Sequence, residues 1–95
     1  MNLTNKHIAD IRTAAKIAAP VFEANDWTWW TQAATSKDRY QVPSEDRIFA
    51  LLLDQIDRLD ENCTEISSGR FTVRLDQKWG EISIDLDLGR IYVDD

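Results

Sequence analysis

The chain has 95 residues, of which 43% are hydrophobic and 29% charged, with one cysteine and a formal net charge of −6 at pH 7. This length allows one small domain with one core, and the composition is typical of a globular protein rather than a disordered one. A single cysteine excludes an internal disulfide and fits a reducing, cytoplasmic setting. We expect no membrane contact, because no stretch approaches the roughly 20 apolar residues that a spanning helix needs.

The negative charge is concentrated in the second half of the chain. Residues 1–42 carry five Lys or Arg against four Asp or Glu, whereas residues 43–95 carry six against thirteen. Direct binding to nucleic acid is therefore not expected, because that affinity comes from clustered cations that release counterions from phosphates. A basic protein is the partner that this charge favours.

The first predicted helix begins at about Asn5, after Thr4, a residue that can cap a helix N-terminus. At 100° per residue its apolar side chains form one stripe, which contains Ile8, Ile11, Ala15, Ala18, Ala19 and Phe22. Pro20 lacks an N–H and crowds the preceding turn. We therefore expect the helix to end near Ala19, with a kinked continuation to Ala24 as the alternative.

A long connector, residues 26–42, holds Trp27, Trp29 and Trp30, three of the four tryptophans, and also Tyr40. Because its length is unusual, the connector either contains a short third helix or has a function. The favoured interpretation is that the rings add bulk to a small core. The alternative is that these four aromatic residues form an exposed patch that anchors a partner or a second copy of the chain.

The second helix is predicted within residues 43–62, where a proline and a serine cap precede two carboxylates. Its apolar residues cover an arc of about 200°. They are Ile48, Phe49, Leu51, Leu52, Leu53, Ile56 and Leu59. A helix this apolar must be covered on two sides, and the first helix and the sheet are the expected covers.

Residues 63–95 alternate apolar and polar side chains between turn signals at residues 68–69, 78–80 and 89–90. This pattern predicts an antiparallel meander of three or four strands, in which residues 89–90 are expected to form a hairpin turn, with a bulge as the alternative. The expected inward pairs are Ile66 with Phe71, Phe71 with Leu86, Val73 with Ile84, and Leu75 with Ile82. The predicted fold is thus α+β, with two or three N-terminal helices packed on one face of a C-terminal three- or four-stranded antiparallel meander.

The outward face of this sheet is a second candidate binding surface. Arg74 is expected opposite Ser83 and diagonal to Glu81 and Asp85, which predicts cross-strand ion pairs. Carboxylates remain in excess here and near the chain end, and the candidate partner-binding residues are Asp76, Glu81, Asp85, Asp87, Asp94 and Asp95. Such an excess suits a docking surface for a basic protein.

No residue pattern marks a catalytic, cofactor or metal site. His7 is the one histidine, and no nucleophile elbow, phosphate loop or paired metal-ligand spacing occurs. The leading hypothesis is a small non-enzymatic protein-binding module, with inhibition of a basic nucleic-acid-binding protein as its narrower form. One alternative is a structural or assembly protein acting as a homodimer or larger oligomer; the other is a small enzyme or ligand carrier with a pocket at the connector tryptophans.

Overall fold

The computed structural model describes residues 2–28, 41–68 and 71–86. The helices and strands within them are α1 (Asn5–Asn25), α2 (Glu45–Asp57), β1 (Glu65–Ser68), β2 (Phe71–Asp76) and β3 (Glu81–Leu86). The strands form one antiparallel sheet in the order β1-β2-β3, so two helices precede a three-stranded meander and the predicted α+β class is confirmed. The positions foreseen for a third helix and a fourth strand fall largely or wholly in residues 29–40 and 87–95, outside the described residues.

Helix α1 begins with a reciprocal cap. The Thr4 hydroxyl accepts a hydrogen bond from His7 N at 3.1 Å, and Thr4 N donates to His7 Nδ1, also at 3.1 Å. This arrangement is a capping box in which histidine takes the place of the usual Glu or Gln. It satisfies two of the backbone donors that a helix N-terminus leaves without partners.

Helix α1 extends beyond the proline, so the expected end near Ala19 is wrong and the alternative, a continuation to about Ala24, is the one observed. The helix continues through Pro20 to Asn25 and ends at Asp26, whose backbone is left-handed with φ of 54°. Phe22 is fully buried one half-turn after the proline, and its ring lies 5.9 Å from that of Phe71. Burial of this ring outweighs the backbone hydrogen bond that the proline removes.

The buried stripe of α1 differs from the projected one at its first turn. Ile8 is 40% exposed, whereas His7 is buried at 9%. The later stripe positions Ile11, Ala15 and Phe22 are buried as predicted. His7 is buried in place of Ile8 because both of its ring nitrogens form hydrogen bonds to backbone groups, one to Thr4 and the other to Gly80.

Helix α2 begins at the predicted cap, where the Ser44 hydroxyl accepts from Arg47 N at 3.2 Å. It ends at Asp57, so it is shorter than the segment 43–62. A tight turn follows, in which the Asp60 carboxylate accepts from the backbone N–H groups of Asn62 and Cys63, both at 2.8 Å. The turn reverses the chain into β1.

The register of β2 and β3 matches the prediction at every inward pair. Phe71 lies opposite Leu86, Val73 opposite Ile84, and Leu75 opposite Ile82. The register predicted for β1 is wrong by two residues, because Ile66 pairs with Val73 and it is Ser68 that faces Phe71. A slip of two preserves the side-chain face, so Ile66 still points inward and packs against the core.

The core lies between the two helices and the inner face of β2. Its buried residues are Ile11, Ala15, Ala18, Phe22, Ile48, Leu51, Leu52, Ile56, Leu59, Phe71 and Val73. The inward residues of β3, and Leu75 of β2, are half-buried. The two helices therefore cover one face of the sheet and leave the other face to solvent.

Candidate functional site

The outward face of the sheet is organised around Arg74 in the middle strand. Its guanidinium pairs with Glu65 of β1 on one side, and its Nη1 donates to Asp85 Oδ2 of β3 at 2.7 Å on the other. The hydrogen bond and charge of Glu65, followed by the charge of Asp85, raise the pKa of Arg74 above its ordinary value. All three side chains are about half exposed, so the triplet is a solvated link across the three strands.

Carboxylates outnumber cations on this surface. We define the acidic face as the outward charged residues of the described sheet, namely Glu65, Arg74, Asp76, Glu81 and Asp85. Four carboxylates thus accompany one arginine. Arg74 satisfies two of them, while Asp76 and Glu81 stand opposite each other where β2 and β3 meet their connecting turn.

Asp76 also shapes that turn. Its Oδ1 accepts hydrogen bonds from Lys78 N at 3.0 Å and from Trp79 N at 3.4 Å. Gly80 N donates to Asp76 O at 2.7 Å, and Gly80 adopts φ of +66°, a conformation that favours glycine. Residues 77–80 are therefore held by side-chain and backbone bonds rather than by packing of their side chains.

The turn presents the most exposed tryptophan of the described residues. Trp79 is 68% exposed, and the Lys78 ammonium lies 5.1 Å from the centroid of its ring. Sequence reasoning used this residue only as part of a turn signal. A turn position between alternating strands was the available sign that its ring would face solvent.

His7 anchors this turn to the start of α1. Because Nδ1 accepts from Thr4 N, the ring proton is on Nε2, which donates to Gly80 O at 2.9 Å. The uncharged imidazole therefore uses both nitrogens in bonds to the backbone. Neither nitrogen is left to bind a ligand, and the role of His7 is to position the turn.

The candidate aromatic residues are only partly described. Trp27 is half-buried, and its ring meets that of Phe22 edge-on, with centroids 5.7 Å apart. Its placement at the core agrees with the favoured structural interpretation for this ring. The other candidates from the connector and the chain end, Trp29, Trp30, Tyr40, Asp87, Asp94 and Asp95, lie outside the described residues.

A second surface lies between α1 and β3. An open groove of about 290 Å³ is lined mainly by apolar side chains, among them Ile17, Ile82, Ile84 and Leu86. Ile17 is 63% exposed. Exposed apolar patches are typical of surfaces that contact other proteins.

Within residues 2–28, 41–68 and 71–86, no group of three or more His, Cys, Asp or Glu side chains is placed to hold a metal ion. Over the same residues, no helix has both the length and the apolarity needed to cross a membrane. No family model, curated protein or solved structure matches the chain.

Proposed function

We propose that the chain is a small non-enzymatic protein-binding module whose partner is a basic protein, and that the acidic face makes the contact. The observation that supports this proposal is the placement of four carboxylates and one arginine on a hydrogen-bonded sheet. Charges fixed on a rigid surface accelerate the encounter with an oppositely charged partner and select against partners of like charge.

The narrower form of the proposal is inhibition of a nucleic-acid-binding protein. Such proteins carry clustered Lys and Arg for phosphate contacts, and the acidic face offers carboxylates to the same cations. Described residues from 41 onward carry ten Asp or Glu and four Lys or Arg, so the whole C-terminal part has the complementary sign. The proposal places the protein in the cytoplasm. The one cysteine, Cys63, fits a reducing compartment because it is a free thiol.

The test compares partner capture from the source cell by three forms of the full chain. One form is the native chain, the second carries Glu81→Gln with Asp85→Asn, and the third carries Glu23→Gln with Asp26→Asn. Both variants remove two exposed carboxylates, but the third removes them from the end of α1. We expect a basic partner to be lost with the acidic-face variant alone.

The captured protein is then purified and its affinity measured at about 0.05 M and about 0.5 M salt, a range over which screening increases strongly. We expect binding to weaken at the higher concentration. Affinity that does not change with salt, or equal capture by all three forms, would contradict the proposal.

Self-association is the second candidate function, favoured by the groove that exposes Ile17. A homodimer would bury this side chain against a second copy of the chain. Light scattering over a concentration series tests it, with Ile17→Lys as the disrupting variant and Lys16→Gln as a neighbouring control on an exposed position. A native chain that stays monomeric throughout would exclude this alternative.

A further inference from the structure

A recess of about 660 Å³ opens beside the β2–β3 turn, between the start of α1 and the turn that follows α2. It is separate from the acidic face, because no residue of that face is among its described lining, although Asp76 holds the turn that carries Trp79. The lining side chains that matter for its chemistry are Asn2, His7, Glu61, Gln77 and Trp79.

The chemistry of the recess favours a flat cation. Trp79 supplies an exposed aromatic surface, and among the described residues that line the recess Glu61 is the one carboxylate. The exposed amides of Asn2 and Gln77 add carbonyl acceptors. His7 does not oppose a cation there, because its uncharged ring has both nitrogens occupied by backbone bonds.

Trp79 already interacts with one cation of the chain. The Lys78 ammonium lies 5.1 Å from the ring centroid, within the range of cation–π attraction. A guanidinium is better suited to this ring than an ammonium, because it is planar, more weakly hydrated and able to stack while its N–H groups bond to carboxylate and amide oxygens. An incoming arginine would compete with Lys78.

The recess is also prepared in advance of binding. The turn that carries Trp79 is held by hydrogen bonds to the Asp76 carboxylate, by the bond from Gly80 N to Asp76 O and by the bond from His7 to Gly80 O. Binding then requires little further ordering of the backbone, so little conformational entropy is lost. Preorganisation improves affinity mainly by reducing this entropic cost.

We propose that this recess binds an arginine side chain, with Trp79 stacking on the guanidinium and Glu61 pairing with it. That the arginine belongs to the partner rests on the function proposed above. The recess thus adds a specific anchor, at one end of the molecule, to the diffuse attraction of the acidic face.

The test is a nuclear magnetic resonance titration of the full chain with three capped tripeptides, acetyl-Gly-X-Gly-amide, in which X is arginine, lysine or citrulline. We expect saturable shifts of the Trp79 indole N–H with the arginine peptide, and affinity about threefold weaker with the lysine peptide. Citrulline has a similar shape but no charge, so it should give no saturable shift. Equal binding of arginine and citrulline, or no saturation by arginine, would overturn the proposal.

Variants of the full chain identify the contacting groups. Trp79→Ala and Glu61→Gln are each expected to weaken binding of the arginine peptide about three- to fivefold, and Lys78→Met to strengthen it about twofold by removing the competing cation. Because Trp79→Ala lacks the indole, the backbone N–H shifts of residues 77–80 report binding in all of the variants. Glu23→Gln, remote from the recess, is the matched carboxylate control and should leave the affinity unchanged. Thermal unfolding of each variant shows whether the fold is retained, and equal weakening by Glu23→Gln would contradict a local site.

The two proposals fail in different ways. Glu81→Gln with Asp85→Asn should remove the macromolecular partner but change the peptide affinity less than about twofold, because those carboxylates do not line the recess. Retention of the partner without arginine binding would overturn the recess proposal alone. Arginine binding without a basic partner would overturn the proposed function alone.

Discussion

His7 Nε2 and Gly80 O lie 2.9 Å apart, although 73 positions separate the two residues in the chain. The bond ties the N-terminus of α1 to the turn between β2 and β3. It requires the proton on Nε2, and the acceptor role of Nδ1 toward Thr4 N requires the same tautomer. A local cap and a long-range contact thus depend on one uncharged imidazole ring.

Replacement of this ring should weaken both contacts. His7→Ala removes the acceptor for Thr4 N, the donor to Gly80 O and a buried side chain, so we expect a loss of about 2–3 kcal/mol in the free energy of unfolding. His7→Gln keeps an amide that can accept from Thr4 N in a capping box, and about 1 kcal/mol of loss is expected. Urea denaturation measures both values. Equal losses for the two variants would show that the cap is unimportant.

Gly80 permits a test of backbone conformation without interference from packing. A Cβ at this position would meet no atom within 4 Å, yet its φ is +66°. Gly80→Ala should therefore cost about 1 kcal/mol from the backbone alone, and Gly80→Asn should cost less because asparagine tolerates the left-handed region better. Denaturation midpoints rank the three forms. A loss for asparagine as large as that for alanine would contradict a purely conformational origin.

The same substitution should destabilise the fold at Trp27 but have little effect at Trp79. Trp27→Leu removes a half-buried ring that meets Phe22 edge-on, and we expect a loss of about 1–2 kcal/mol in stability. Trp79→Leu changes an exposed side chain and should alter stability by less than about 0.5 kcal/mol. Thermal or urea unfolding of the pair measures this contrast, and a larger loss at Trp79 would place that ring in a structural role.

The sheet illustrates what a sequence can encode locally. Alternation specifies which side chains of β2 and β3 face inward, and the short turn between the strands leaves one register that keeps Leu75 opposite Ile82. The same register correctly placed Arg74 diagonal to Asp85. The register predicted for β1 did not place Glu65 opposite Arg74. The observed register, shifted by two residues, puts that carboxylate directly opposite the arginine and makes it the second partner.

The surroundings of His7 could not be derived in the same way. A helical projection counts apolar side chains and therefore placed Ile8 on the buried stripe, whereas the structure buries His7. The spacing of Thr4 and His7 is that of a capping box, which was a local signal for one of its bonds. The bond to Gly80 depends on the packing of α1 beside the sheet, and no local pattern encodes that contact.

The ion pair at the start of α1 predicts a shift in a lysine titration. The Asp10 carboxylate accepts a hydrogen bond from Lys6 at 2.9 Å, and this bond together with its charge raises the pKa of Lys6 above 10.5. Asp10→Asn should lower that pKa toward 10.5, which carbon or nitrogen NMR of the lysine side chain can follow. Glu23→Gln, at the other end of α1, should have no effect on it.

The sign of the accompanying stability change follows from the raised pKa of Lys6. The stability that the Lys6–Asp10 pair contributes is fully present below the pKa of Lys6 in the unfolded chain. It is lost as pH rises through the higher pKa of Lys6 in the folded chain. Unfolding measured between about pH 9 and about pH 12 should therefore show the native chain losing its small advantage over Asp10→Asn as Lys6 deprotonates. An advantage that grows over this range would contradict the assignment.

Arg74 should contribute more to the fold than a local ion pair does, because its two carboxylate partners lie on the strands that flank its own. Arg58, whose one ion pair with the described residues is to Asp54 on the neighbouring helical turn, is the matched control. We expect Arg74→Gln to lower the urea midpoint more than Arg58→Gln. All of these side chains are substantially exposed, so both effects should be small and should shrink at about 1 M salt.

Arg74→Gln also removes the one cation of the acidic face. Binding of a basic partner should therefore tighten, even as the sheet becomes less stable. Weaker binding would show that Arg74 itself contacts the partner.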